Sequence, residues 1–223
     1  MGGLRSAPDS SIQELPIVNI AAITDQLISA GHLLHRRGWV PASGGNFSAR
    51  LASDRLLVTS SGCHKGELSA ADFMLVDMQG NAAEDTPRRA SAESLLHCAI
   101  YRMDASAAAV LHTHSVPATV LSRALEAGVI LRDYELLKIL DGISTHEISV
   151  EIPIFDNDQN MTRLSTVIEE AMRQGRGRHG FLIRGHGLYA WGSSVAEARY
   201  RVEALEFLFD CEWQSQLGEA RQQ

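Results

Sequence analysis

The pattern with the most chemical content is His112-Thr113-His114, directly after the apolar run Ala109-Val110-Leu111. On a β-strand, residues two apart project to the same face. Both imidazoles would then enter one pocket, near enough to share a metal ion at about 2.0–2.1 Å per nitrogen. An exposed strand face can carry the same spacing, so the pair alone leaves both readings open. A third imidazole, His186, stands between Gly185 and Gly187 in the turn Arg184-Gly185-His186-Gly187. Flanking glycines let backbone approach a ligand closely and take up conformations closed to other residues. Three imidazoles with an open fourth position are the ligand set of a catalytic zinc. The expectation is one zinc ion per subunit on His112, His114 and His186.

Two small, donor-rich turns lie earlier in the chain, Ser43-Gly44-Gly45-Asn46 and Thr59-Ser60-Ser61-Gly62. Such turns can aim backbone N–H groups and hydroxyls at a phosphate. Ser91, read as the N-cap of a helix over Ala92–Arg102, could add the helix dipole to that site. Two glutamates are candidates for proton transfer: Glu93 in the first turn of that helix, and Glu135 in another first turn with Asp133 as its cap. Complementing the helix dipole is the competing role for both. Of the other histidines, His32, His35, His64, His97, His146 and His179 show no ligand-like spacing, and most are expected at the surface or the edge of the core.

Hydrophobic periodicity supplies the elements that must position these groups. A helix is predicted from Ile20 to Arg37, ended by Gly38. Further helices are predicted over Pro117–Leu125, over residues 161–174 before Gly175, and over Ala196–Leu217. Strands are predicted around Phe47–Arg50, Leu56–Thr59, Met74–Asp77, Ala108–His114, Ile148–Ile154, Phe181–Ile183 and Leu188–Trp191. There is no regular βαβ repeat, so the expected class is α/β (α+β), in a single domain over residues 16–223 behind a loose tail of residues 1–15.

The bulk properties narrow the function. With 45% hydrophobic residues in 223, the chain can bury a sizeable core. A formal charge of −7 argues against a nucleic-acid binder, which needs a dense basic face. No apolar run approaches the roughly 20 residues needed to cross a bilayer, and no secretory signal opens the chain. The three scattered cysteines make no disulfide framework, which fits a reducing cytoplasm.

Taken in order, Gly45-Asn46, Thr59-Ser60-Ser61-Gly62, Ser91-Ala92-Glu93, His112-Thr113-His114 and Gly185-His186-Gly187 resemble the motifs of the class II aldolase/adducin family. The resemblance runs from about Ile20 to Leu217, nearly the whole chain; each motif is short, and the ordered set is specific. The segments Ser91–Leu96, Tyr134–Lys138, Ile152–Asn160, Ile183–Gly192 and Glu203–Cys211 are similar to the family's dehydratase branch. The resemblance implies a three-layer α/β/α fold around a mostly antiparallel central sheet, a homotetramer, and zinc on the three histidines. It implies a small phosphorylated keto-sugar as substrate, a methylthio-substituted pentulose that loses water. Its phosphate would be held by Ser43, Asn46, Ser61, Gly62 and Ser91, with Lys65 as a further contact. Where the family's aldolases usually carry a second hydroxyl residue, this chain has Ala92, which puts one phosphate contact in doubt. Glu93 matches the aldolases' catalytic glutamate, and Glu135 the acid/base of the dehydratases; the segment around Glu135 favours the latter. An aldolase, a pentose-phosphate 4-epimerase and a non-catalytic adducin-like module are the other members such motifs could belong to.

Overall fold

The computed structural model describes residues 19–220; the expected N-terminal tail lies outside them. Helix α1 (Ile20–Arg36) begins where the Asn19 side chain accepts a hydrogen bond from the Ala22 amide. It buries Thr24, Leu27, Ala30, Gly31 and Leu34, a stripe with helical spacing. The strands are β1 (Asn46–Ala52), β2 (Arg55–Thr59), β3 (Phe73–Asp77), β4 (Ala109–Thr113), β5 (Gly128–Arg132), β6 (Ser149–Phe155), β7 (Phe181–Ile183) and β8 (Gly187–Gly192). The other helices are α2 (Ser94–Met103), α3 (Val116–Ala124), α4 (Met161–Arg173) and α5 (Val195–Ala220).

All eight strands form one sheet in the order β3-β2-β1-β4-β8-β7-β6-β5. Every neighbouring pair is antiparallel except β6 with β7. Alternation along the strands divides the core in two. Phe47, Ala49, Leu57, Ala109, Leu111, Leu188 and Ala190 face one side, where they pack with residues of α1, α3 and α5. Leu56, Val58, Val110, Tyr189 and Trp191 face the other, against residues of α2 and α4. This is the three-layer α/β/α arrangement around a mostly antiparallel sheet. Among the described residues no helix is long and apolar enough to cross a membrane.

Three readings of local structure are corrected. Ser91 does not cap α2: the helix starts at Ser94, after a tight turn in which Ser94, Leu95 and Leu96 bond three residues back. That turn leaves the Glu93 carboxylate free of the helix end. Asp133 is not a cap either; it has φ 60°, and Tyr134 precedes a 3₁₀ turn over Glu135–Ile139. Leu137 and Leu140 are both buried at a spacing of three, which suits that tighter turn better than an α-helix. Strand β5 was not expected from the sequence. Its Val129 and Leu131 are buried by alternation with the exposed Ile130 between them, in an element of only five residues.

The end of β4 and the turn between β7 and β8 meet because the backbones there almost touch. A Cβ placed on Gly187 would lie 1.8 Å from the Thr113 carbonyl oxygen. Helix α3 holds the turn from outside: Ser122 Oγ accepts from the Gly185 amide at 3.0 Å, and Thr119 Oγ1 donates to the His186 carbonyl at 3.1 Å. Gly187→Ala should therefore lower the thermal midpoint by on the order of 10 °C, because two backbones must separate. Gly218→Ala, with nothing within 4 Å in α5, should leave it level or slightly raised. Calorimetry on both variants checks this; equal midpoints would show that the close approach is not needed for stability.

Candidate metal centre

His112 and His114 leave β4 on the same face, and the β7–β8 turn brings His186 to them. Their ring centroids lie 4.5, 4.6 and 4.9 Å apart. Glu93 completes the cluster: one ligand atom from each of Glu93, His112, His114 and His186 falls within 4.8 Å of all the others. His186 Nε2 is 3.1 Å from Glu93 Oε1, and His112 Nε2 is 3.8 Å from Glu93 Oε2. Asn46 donates from its side-chain amide to Glu93.

The donor set fits a metal ion on three grounds. His112 Nδ1 is 2.8 Å from the Leu188 carbonyl, a bond that places the proton on Nδ1 and turns the Nε2 lone pair to the pocket. His112 Nε2 and His186 Nε2 then approach to 3.2 Å, an arrangement that a shared cation relieves. His114 Nε2 is buried with no hydrogen-bond partner among the described residues. His112 and His114 are also kept neutral, as ligands must be. Burial drives His112 well below the ordinary imidazole value, with His114 and His186 pushing the same way. Burial, then His186, brings His114 down to about 4. For Glu93 burial acts upward, but the hydrogen bond and charge of His186 outweigh it and hold the carboxyl below its ordinary value.

The residues expected at a phosphate lie beside this cluster. A Cβ on Gly44 would be 3.4 Å from the His114 ring, so the Ser43–Asn46 turn borders the metal ligands. Lys65 is 1% exposed, and its ammonium donates to the carbonyls of Ser43 (3.0 Å) and Cys63 (2.7 Å), tying the two turns together. Burial pushes its pKa down, against the charges of Cys63 and Glu93. The Ser61 amide donates to the Arg89 carbonyl at 2.8 Å, and Ser60 bridges Ala90, which sets the Ser61-Gly62 turn next to Ser91. Ser91 Oγ accepts from the Glu93 amide at 3.3 Å. Glu135 stands apart from the cluster. Its side chain is 74% exposed, 2.6 Å from Lys138 and 3.6 Å from His146.

Three residues escaped the sequence reading. His97, expected outside the core, is 2% exposed, with Nδ1 2.7 Å from Ser48 Oγ. Its signal was its place four residues after Glu93, on the same helix face. Tyr189 stacks on His112 at 3.9 Å between centroids. Glu206, 1% exposed, accepts from Thr113 Oγ1 on the far side of β4. It is an acid inside the apolar stripe Val202, Leu205, Leu208, Phe209, which was legible in the sequence.

Residues 25–213 match the family described as the class II aldolase and adducin N-terminal domain. The chain belongs to the class II aldolase/adducin family. A relative from Methylococcus capsulatus named methylthioribulose-1-phosphate dehydratase is 52% identical over 187 residues, covering 84% of this chain and 91% of its own. One of the same name from Pseudomonas aeruginosa is 48% identical over 195 residues, covering 87% and 95%. Among solved structures, l-fuculose-1-phosphate aldolase from Thermus thermophilus is similar with a TM-score of 0.72 at 28% identity, covering 90% of this chain and 97% of its own. The class II aldolase fold and the histidine–glutamate metal cluster therefore go together in this chain.

Two outcomes follow for this member of the family. The purified chain should hold one divalent ion, and His114→Ala should release it to a chelator that leaves the parent loaded, as read by elemental analysis. Full retention would remove His114 from the ligand set. The second concerns Glu206, whose carboxyl burial raises to about 7 against the lowering effect of Ser115 and Thr113. In the folded chain it stays protonated where the unfolded chain has already ionised. Its stabilising effect is complete below the ordinary value near 4.5 and is lost as pH rises towards 7. Metal-free Glu206→Gln should lack this loss, on the order of 3 kcal/mol, in urea titrations between pH 4.5 and 8.

Proposed function

We propose that the chain dehydrates 5-methylthioribulose 1-phosphate to 2,3-diketo-5-methylthiopentyl 1-phosphate, a step of methionine salvage, with zinc on His112, His114 and His186. The observation that carries this reading is the convergence of three imidazoles and Glu93 beside two donor-rich turns. The names and high identity of the relatives support the choice of substrate. Three histidines with an open fourth position match the ligand set of a catalytic zinc, and as ligands without charge they leave the ion its full charge. Bound there, it supplies Lewis acidity to the ketose carbonyl, worth several kcal/mol.

The chain's own groups do the rest. Ser43, Asn46, Ser61, Gly62, Lys65 and Ser91 hold the phosphate and so fix the sugar carbons relative to the histidines. The reaction needs two proton transfers. The proton on C3 goes to a carboxylate, the C4–O bond breaks, and the departing hydroxyl takes a proton to leave as water; the enol then becomes the diketone. Glu93, in contact with the ligand set, is assigned the C3 proton. Glu135, exposed and apart from the cluster of its own chain, is matched to the dehydratases' acid/base and is assigned the proton delivered to the leaving hydroxyl across a subunit boundary of the homotetramer.

The catalytic unit is proposed as one domain over residues 16–223, in a cytoplasmic homotetramer. An apolar groove of about 630 Å³, lined by Trp39, Val116, Leu136, Ile139, Tyr200 and Phe207, supports association. Val116, Ile139, Tyr200 and Phe207 are exposed there, a patch of the kind that subunit contacts cover.

Incubation with methylthioribulose phosphate should give a product lighter by one water in the mass spectrum. Two smaller carbonyl compounds would mean an aldolase, an unchanged mass with altered configuration an epimerase, and no reaction with no bound metal an adducin-like module. Glu93→Gln and Glu135→Gln should each lower kcat by about 10²–10⁴-fold with metal retained. A variant with parental kcat removes that glutamate from the proton transfers.

A further inference from the structure

Behind the metal ligands lies a second layer of buried polar groups that the proposed reaction does not yet use. Asn46, His112 and Tyr189 are cross-strand partners on β1, β4 and β8, so their side chains share one row on one face of the sheet. Helix α2 crosses this face. Glu93, His97 and Tyr101 recur every four residues and form one edge of it. The His97 and Tyr189 rings meet edge to face at 5.8 Å between centroids.

A chain of buried hydrogen bonds holds the other side of His97. Tyr101 Oη is 2.8 Å from Ser48 Oγ. Ser48 Oγ is in turn 2.7 Å from His97 Nδ1. The ring's Nε2 is left on the side away from Ser48. That Nε2, and the Tyr189 hydroxyl, are both buried without a hydrogen-bond partner among the described residues. Both feel the charge of Glu93. Two unmet polar groups in the core would cost about 1–3 kcal/mol each. A buried water with partners of this kind removes that cost.

Resting on the assignment of Glu93 to the C3 proton, we propose that His97 and Tyr189 are positioning residues that hold the Glu93 carboxylate through one buried water. The water bonds His97 Nε2, exchanges a hydrogen bond with the Tyr189 hydroxyl, and donates to Glu93. Asn46 holds the same carboxylate directly. With both sides held, Glu93 keeps its oxygen aimed at the substrate carbon rather than collapsing onto His186 when a substrate displaces it.

The test divides the imidazole into its two nitrogens. His97→Asn keeps an amide near the Nδ1 position, and with it the Ser48 contact, but offers nothing towards Glu93. His97→Gln places an amide near the Nε2 position and gives up the Ser48 contact. Tyr189→Phe removes only the hydroxyl. The expected result is a loss of about 10–100-fold in kcat for His97→Asn and Tyr189→Phe, with KM within about twofold and metal content unchanged. His97→Gln should recover part of kcat while being the less stable of the two His97 variants. If kcat instead follows thermal stability, with Asn better than Gln, the proposal is overturned. Crystal structures of the parent and of Tyr189→Phe give an answer independent of turnover. An ordered water touching His97, Tyr189 and Glu93, with Glu93 displaced in the variant, supports the proposal even if methylthioribulose phosphate proves to be the wrong substrate. A dry gap and an unmoved Glu93 overturn it.

Discussion

Neutral imidazole nitrogens cannot be packed against one another in a protein interior without something between them. The structure forces three imidazoles together and desolvates His112 and His114 strongly enough to keep those two from taking up a proton. Water is largely excluded from His112, so the remaining way to satisfy these lone pairs is a cation. Much of the local architecture serves this constraint. The Leu188 carbonyl fixes the tautomer of His112, Tyr189 stacks on its ring, and the turn that carries His186 is held by two hydroxyls of α3.

The sheet supplies the rigidity that such a site needs. Its ligand-bearing strand β4 lies between β1 and β8, so both edges of its backbone are paired and neither histidine can slip in register. Thr113, between the two ligands, points to the opposite face and bonds Glu206 of α5. The strand is therefore held on both faces as well as both edges. A carboxyl whose protonated form is favoured by burial suits this task, since in that form it receives a hydrogen bond without bringing a charge beneath a cation.

The fold class and the histidine cluster were legible before any coordinates. Period-two alternation along β4 puts His112 and His114 on one face whatever surrounds them; the glycines beside His186, read as room for a ligand, serve at Gly187 a close approach of backbone to the Thr113 carbonyl. Strand β5 and the 3₁₀ turn at Glu135 were not legible. Each is short, and each is stabilised by neighbours distant in sequence rather than by its own periodicity.

By itself, the sequence determined which groups could ligate a metal, and the order of elements that carries them, because strand and helix periods are local properties of the chain. It did not determine which carboxylate meets the ligands. Glu93 and Glu135 are chemically equivalent in the sequence, each near the start of a predicted helix. Only the packing of α2 across β1 and β4 puts Glu93 against His186 and leaves Glu135 paired with Lys138 at the surface. The same holds for His97 and Glu206, whose roles come from being desolvated beside β4, and desolvation is a property of the assembled layers.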